Sequence, residues 1–166
     1  ADANHTTLDD ITLTIRPGEH IALVGANGAG KTTLVKLLCR LYDPTAGRIT
    51  IDGIDLRELD PTELRRQISV IFQDYAHYHL TARENIWLGN TALASTDDKV
   101  MQAARDAGAD ALIDKLPHGY DTRLGQWFAD GQELSFGEWQ KISLARAVIR
   151  DAEILVLDEP TSALDA

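Results

Sequence analysis

A layered α/β fold with a parallel sheet is predicted by three observations. A short apolar strand, His20-Ile21-Ala22-Leu23-Val24, runs straight into a glycine-rich loop, and the stretch from Thr32 to Leu41 after it has helix-forming composition. A second apolar run, Glu153 to Leu157, is continuous rather than alternating, which suits a strand buried in a parallel sheet. Between the two, the spacing of apolar residues is helical from Thr81 to Leu116 and again from Phe136 to Arg150.

The remaining elements follow in order. Ile11-Thr12-Leu13-Thr14-Ile15 alternates with period two and stops at Pro17-Gly18, the pattern of a half-buried strand ending in a turn. Asp43-Pro44-Thr45-Ala46-Gly47 is a turn cluster, Arg48 to Ile51 reads as strand, and Asp52-Gly53 as another turn. Asp60 and Pro61 are placed as N-cap and first helical residue of a short helix over Thr62 to Gln67, and the strand Ile68 to Phe72 follows. Thr81 and Glu84 have the spacing of a capping box, and Asp97-Asp98 open a run containing Val100, Met101, Ala104 and Ala107. In the last helix Trp139, Ile142, Ala145 and Ile149 share one face.

Composition bounds the rest. A chain of 166 residues with 44% hydrophobic content can bury one sizeable core. Acidic residues outnumber basic ones by 26 to 16, a formal net charge of -10, so no global field favours nucleic acid or anionic lipid. Cys39 is the single cysteine, which excludes an intrachain disulfide and a multi-thiolate metal site and fits a reducing compartment. Apolar runs such as Ile21 to Val24 fall far short of the ~20 residues of a bilayer-spanning helix, so a membrane connection is expected through a partner. No basic, then apolar, leader pattern is visible at the start.

The loop Gly25-Ala26-Asn27-Gly28-Ala29-Gly30-Lys31-Thr32 fits G-x-x-x-x-G-K-[ST], with a strand before it and a helix after it. Glycines let the backbone wrap closely, so that N–H groups from Gly25 to Gly30 and the following helix N-terminus point at phosphate charge. Lys31 is expected to reach the β- and γ-phosphates of ATP, the Thr32 hydroxyl to coordinate Mg2+, and Thr33 to help hold the α-phosphate. The run Ile154-Leu155-Val156-Leu157-Asp158-Glu159 is an apolar strand ending in two acids. Asp158 is placed to hold the magnesium, and Glu159 to polarise the water that attacks the γ-phosphate.

Between these motifs, Glu133-Leu134-Ser135-Phe136-Gly137-Glu138-Trp139-Gln140 resembles the signature of ATP-binding-cassette (ABC) ATPases, usually written LSGGQ. Phe136 stands where the family usually has glycine, and Glu138 where it has glutamine. Gln73 resembles the family's Q-loop glutamine, Ser162-Ala163-Leu164-Asp165 its D-loop, and Leu116 to Thr122 the exporter-type members. The resemblance covers essentially the whole chain.

It implies a P-loop NTPase with a RecA-like core, a β-rich N-terminal part and a helical subdomain over roughly residues 74–143. It implies a dimer of two such domains around two ATP molecules, each held between the P-loop of one copy and Ser135 and Gly137 of the other. Catalytic roles fall on Glu159, Gln73 and Lys31, and metal contacts on Thr32, Gln73 and Asp158. The implied partners are a second nucleotide-binding domain and the transmembrane domains of an exporter, which place the chain on the cytoplasmic side of the cell membrane. The family's adenine-stacking aromatic would precede Ala1 and its switch histidine would follow Ala166, so the chain is expected to be truncated at both ends and to hydrolyse ATP weakly by itself. The competing expectation is an ABC ATPase of DNA repair or chromosome maintenance. Such proteins separate the P-loop from the signature by long coiled coils or zinc inserts, which this sequence does not contain.

The other candidates have plainer readings. His77 and His79 flank Tyr78 at a spacing that could ligate metal on a strand, but the better expectation is a polar loop near the transporter partner. Cys39 sits beside Leu37, Leu38 and Leu41 as a small buried hydrophobe, and Arg65-Arg66 read as a solvated helix face. Trp87, Trp127 and Trp139 are open between core and partner contacts.

Overall fold

The computed structural model describes residues 7–127 and 130–158. It divides into two compact units, one running to Arg65 and one from Arg66, each taken by itself below.

In the first unit the loop from Gly25 leads into helix α1 (Lys31–Leu38). The helix ends because Arg40 takes a left-handed backbone, φ 49°. The N–H of Arg40 then bonds the Leu37 carbonyl at 3.0 Å and that of Leu41 bonds the Lys36 carbonyl at 2.9 Å, the paired closure usually made by glycine. Arginine is held there by its own guanidinium, which donates to the Leu59 carbonyl at 2.6 Å and the Arg57 carbonyl at 3.2 Å. Strands β1 (Thr50–Ile51) and β2 (Ile54–Asp55) form an antiparallel hairpin across Asp52-Gly53. Both turn residues have positive φ, 52° and 81°, as a tight two-residue hairpin requires.

Two expected strands are absent from this unit. Neither Ile11 to Ile15 nor His20 to Val24 pairs with another strand among the described residues. Their apolar side chains are exposed, Val24 to 94%. Alternation makes a segment competent for a sheet, but ladder hydrogen bonds and a covering layer must come from elsewhere. The third expected strand, from Arg48, shrinks to the two residues of β1.

Helix α2 (Pro61–Gln67) crosses the boundary between the units. Its cap is the expected one: Asp60 Oδ1 accepts from Thr62 N at 2.8 Å and Glu63 N at 3.1 Å.

The second unit holds β3 (Ile68–Ile71), α3 (Ala82–Trp87), α4 (Asp98–Asp106), α5 (Asp110–Ile113), α6 (Phe136–Val148) and β4 (Ile154–Leu157). Thr81 and Glu84 close the capping box of α3, and the Asp97 side chain caps α4 through Lys99 N. Helix α6 packs against α3, α4 and β3. The core between the helices contains Ile86, Val100, Ile113, Leu124 and Ile142, all fully buried, with Trp139, Ala145 and Ile149 from the expected face of α6. Burial of this order stabilises by about 1.5–3 kcal/mol for each large aliphatic side chain.

Strands β3 and β4 pair in parallel, Ile68 opposite Ile154 and Ile71 opposite Leu157. The Ser69 hydroxyl, buried on this sheet, donates to the Ala147 carbonyl of α6 at 2.9 Å. The expectation for β4 needs one correction. Its burial alternates, and Leu155 remains 47% exposed. Helix α6 packs on β3, while the outward side chains of β4 meet no covering layer among the described residues of this unit, so continuous apolar sequence gives a strand that is only half buried.

Candidate functional site

The expected residues form three groups. The first is the loop before α1. Gly28 and Gly30 have positive φ, 83° and 89°. At Gly30 the constraint is double, because a Cβ would also lie 2.6 Å from Leu8 Cδ2. Gly25 and Asn27 lie on this loop, and the Ala29 N–H closes a turn on the Ala26 carbonyl at 3.1 Å. The first intrahelical bond of α1 runs from Leu34 N to the Gly30 carbonyl, 2.9 Å. No side chain caps the helix and no acid lies in its first turn. Among the described residues no carboxylate caps this end, so its first-turn N–H groups and positive dipole end are suited to an anion. Lys31 Nζ donates back to the Gly25 and Ala26 carbonyls at 2.8 and 3.1 Å, which keeps the ammonium over the loop. Thr32 and Thr33 occupy the same first turn.

The second group lies at the carboxyl ends of β3 and β4, where ligands of open parallel sheets bind. Parallel pairing puts the residues after Ile71 next to those after Leu157, and Asp158 N donates to the Ile71 carbonyl at 2.9 Å. Asp158 is 5% exposed, and its Oδ2 has no hydrogen-bond partner among the described residues. Gln73 is exposed on the turn that follows β3. Sequence motifs far apart in the chain are thus brought to one sheet edge. An orphaned, buried carboxylate oxygen is a hard donor of the kind Mg2+ takes, so Asp158 fits this metal. Glu159 and the stretch Ser162 to Asp165 lie outside the described residues.

The third group opens α6. Ser135 is the N-cap, and the capping box is complete. Ser135 N and the Ser135 hydroxyl both donate to Glu138 Oε2, at 2.7 and 2.8 Å, and Glu138 N donates to Ser135 Oγ at 3.4 Å. Glu138 thus closes the start of α6 by ordinary helix capping. Gly137 lies exposed in the first turn, with open space where a Cβ would be. The Phe136 ring is half exposed and packs against Tyr75, 5.8 Å between centroids.

The two histidines have aromatic partners. His77 lies parallel on Trp139 at 4.4 Å, and burial pushes its imidazole below the ordinary value. His79 stacks on Trp127 at 4.7 Å. The tryptophans divide: Trp139 is 2% exposed and donates to Glu133 Oε1, Trp87 donates to the Leu93 carbonyl, and Trp127 is 80% exposed. Sequence reasoning assigned nothing to Arg146, which the structure ties into the segment after Gln73. Its isolated position in an otherwise ordinary helix gave no signal. Burial lowers the pKa of its guanidinium.

A glycine loop on an uncapped helix, with a buried aspartate at the carboxyl edge of a parallel sheet, defines a P-loop NTPase of the α/β class. The family model described as ABC transporter matches residues 8–162. The chain is 43% identical to the subtilin transport ATP-binding protein SpaT of Bacillus subtilis over 159 residues, 96% of this chain and 26% of that protein. It is 48% identical to the ATP-dependent lipid A-core flippase of Syntrophus aciditrophicus over 158 residues, 95% of this chain and 26% of that protein. Among solved structures it resembles a bacterial Atm1-family ABC exporter with ATP bound, TM-score 0.75 at 39% identity, over 85% of this chain and 24% of that one. The protein belongs to the ABC transporter family, in its ATP-binding part, and it spans about a quarter of the length of these relatives.

Proposed function

We propose that the chain binds Mg2+ and ATP at the Gly25–Thr32 loop and hydrolyses the ATP to ADP and phosphate in a dimer of two such domains, powering export across a membrane. The observation that carries this reading is the uncapped, acid-free N-terminus of α1 behind Gly28 and Gly30. Oriented N–H groups, the Lys31 ammonium and the helix dipole together favour a triphosphate. Thr32, Asp158 and Gln73 would hold the magnesium, which supplies charge neutralisation at the phosphate oxygens when bound. Glu159 would orient the attacking water, and Gln73 would report the presence of the γ-phosphate.

Ser135 and Gly137 of a second copy would complete the site, with the first-turn N–H groups and the positive dipole end of α6 facing the γ-phosphate. The helical subdomain, about residues 74–143, would carry this signature, and transmembrane domains of an exporter would receive the motion on the cytoplasmic face. Turnover by the 166-residue chain alone is then slow, because each site needs a partner.

Calorimetric titration tests the binding step. Lys31→Ala should weaken Mg·ATP binding by at least about 100-fold, the loss of a charge-assisted contact to phosphate. ATP turnover should also rise faster than linearly with chain concentration. Unchanged affinity in the variant, or strictly linear turnover, counts against the reading.

A further inference from the structure

The segment after Gln73 has no helix or strand of its own, yet each of its residues from Tyr75 to Tyr78 is fastened to α6. Tyr75 Oη donates to the Phe136 carbonyl at 3.2 Å, and the two rings pack together. Arg146 Nη1 donates to the Ala76 carbonyl at 3.0 Å. His77 lies on Trp139 with the ring planes 3° apart. The Arg146 guanidinium sits over the Tyr78 ring, 4.6 Å from its centre. The same guanidinium donates to Asn85 O and Asn85 Oδ1, both at 2.8 Å, and Asn85 Nδ2 donates to the Tyr78 carbonyl at 2.9 Å. These contacts run from the first residue of α6 almost to its last.

A connection with no ladder of its own would ordinarily open locally at little cost. Here the packing and hydrogen bonds turn it into a strap along the helix that Ser135 caps. We propose that Tyr75 and Arg146 are positioning residues: they make the strap and α6 one rigid piece, so that the Gln73 turn and Ser135 move together and the signature is presented to a partner only in register with Gln73.

The proposal rests on the shared-site reading above. It assigns a role to two residues that touch neither nucleotide nor metal. The physical device is pre-organisation: the signature helix is held before the partner arrives, so association does not have to order it.

Two variants of the chain test it. Tyr75→Phe keeps the ring against Phe136 and removes one hydrogen bond. Arg146→Lys keeps the charge and loses the planar fork that reaches Ala76 and Asn85 together. Each is compared with the unmutated chain by calorimetric binding of a non-hydrolysable ATP analogue with Mg2+, by thermal melting, and by sedimentation of the analogue-bound chain.

The expected result is analogue affinity within about twofold of wild type, because the P-loop is untouched, and self-association weakened about fivefold in Tyr75→Phe, the worth of one net hydrogen bond. Arg146→Lys should weaken association further. If Arg146→Lys does not fold, Tyr75→Phe decides alone. A purely structural role would lower the melting temperature and leave association of the folded variant unchanged, which overturns the proposal. If the unmutated chain binds the analogue and does not self-associate, the shared-site reading fails and the proposal falls with it.

Discussion

Replacing Asp158 by asparagine should raise the stability of the nucleotide-free chain and lower that of the Mg·ATP-bound one. The side chain is 5% exposed, and Oδ2 has no hydrogen-bond partner among the described residues. Leaving a buried charged acceptor unsatisfied costs about 1–3 kcal/mol or more, and a neutral amide of the same shape costs less. A net gain of about 1 kcal/mol for Asp158→Asn corresponds to a melting temperature about 2–4 °C higher for a chain of this size. The backbone bond from residue 158 to the Ile71 carbonyl is unaffected by the change.

With ligand the order should reverse. At a Mg·ATP concentration about 100 times the wild-type Kd, binding adds about 2.7 kcal/mol. A variant weakened about 100-fold retains only about 0.4 kcal/mol of this, more than cancelling its advantage. Melting curves at a series of Mg·ATP concentrations, with EDTA controls, should therefore cross. The reasoning is refuted if Asp158→Asn melts below wild type without nucleotide, or above it at every concentration.

Two further predictions concern the scaffold. At Gly89 a Cβ would meet the Arg146 carbonyl and lie 2.6 Å from Ile149 Cγ2, so Gly89→Ala should destabilise by about 1–3 kcal/mol or more in urea unfolding, unlike alanine in an open turn. In the first unit the Arg57 side chain, bonded to Asp55 at 2.6 Å, holds the Asp55 carboxyl down at about 2. A depressed carboxylate stabilises above its ordinary titration range, and the contribution is lost as pH falls through about 2. The Asp55 carboxyl resonance should titrate there by NMR, and Arg57→Ala should move it part of the way back toward the ordinary range, because the N–H of residue 57 still donates to Asp55 Oδ1.

Local chemistry was the legible part of the sequence. Asp60 with Pro61, Thr81 with Glu84, Asp97 and the Asp52-Gly53 turn each encode their element in adjacent residues, and each element forms as read. The loop motif also carries its own geometry, because Gly28 and Gly30 are needed for the backbone they adopt. What depends on remote partners was less legible. Ile11 to Ile15 and His20 to Val24 have strand patterning without paired strands, and β4 reads as fully buried yet leaves Leu155 exposed. At the site, the motifs identified Asp158, Gln73 and Ser135 one at a time. Part of their surroundings was hidden: the Tyr75 and Arg146 contacts join residues distant in sequence, and the burial of Asp158 depends on the packing around it.

The parallel pairing of β3 with β4 also sets an order of events in folding. Its strands stand near opposite ends of the second unit, with α3, α4, α5 and α6 between them. Closing so long a loop is entropically costly until the intervening helices have condensed, so this pairing belongs to the late steps. Gln73 and Asp158 become neighbours only when those steps are finished. A chain emerging from synthesis can form its glycine loop early from local sequence, yet it cannot bring these two candidate metal-site residues to one sheet edge until the intervening helices are in place.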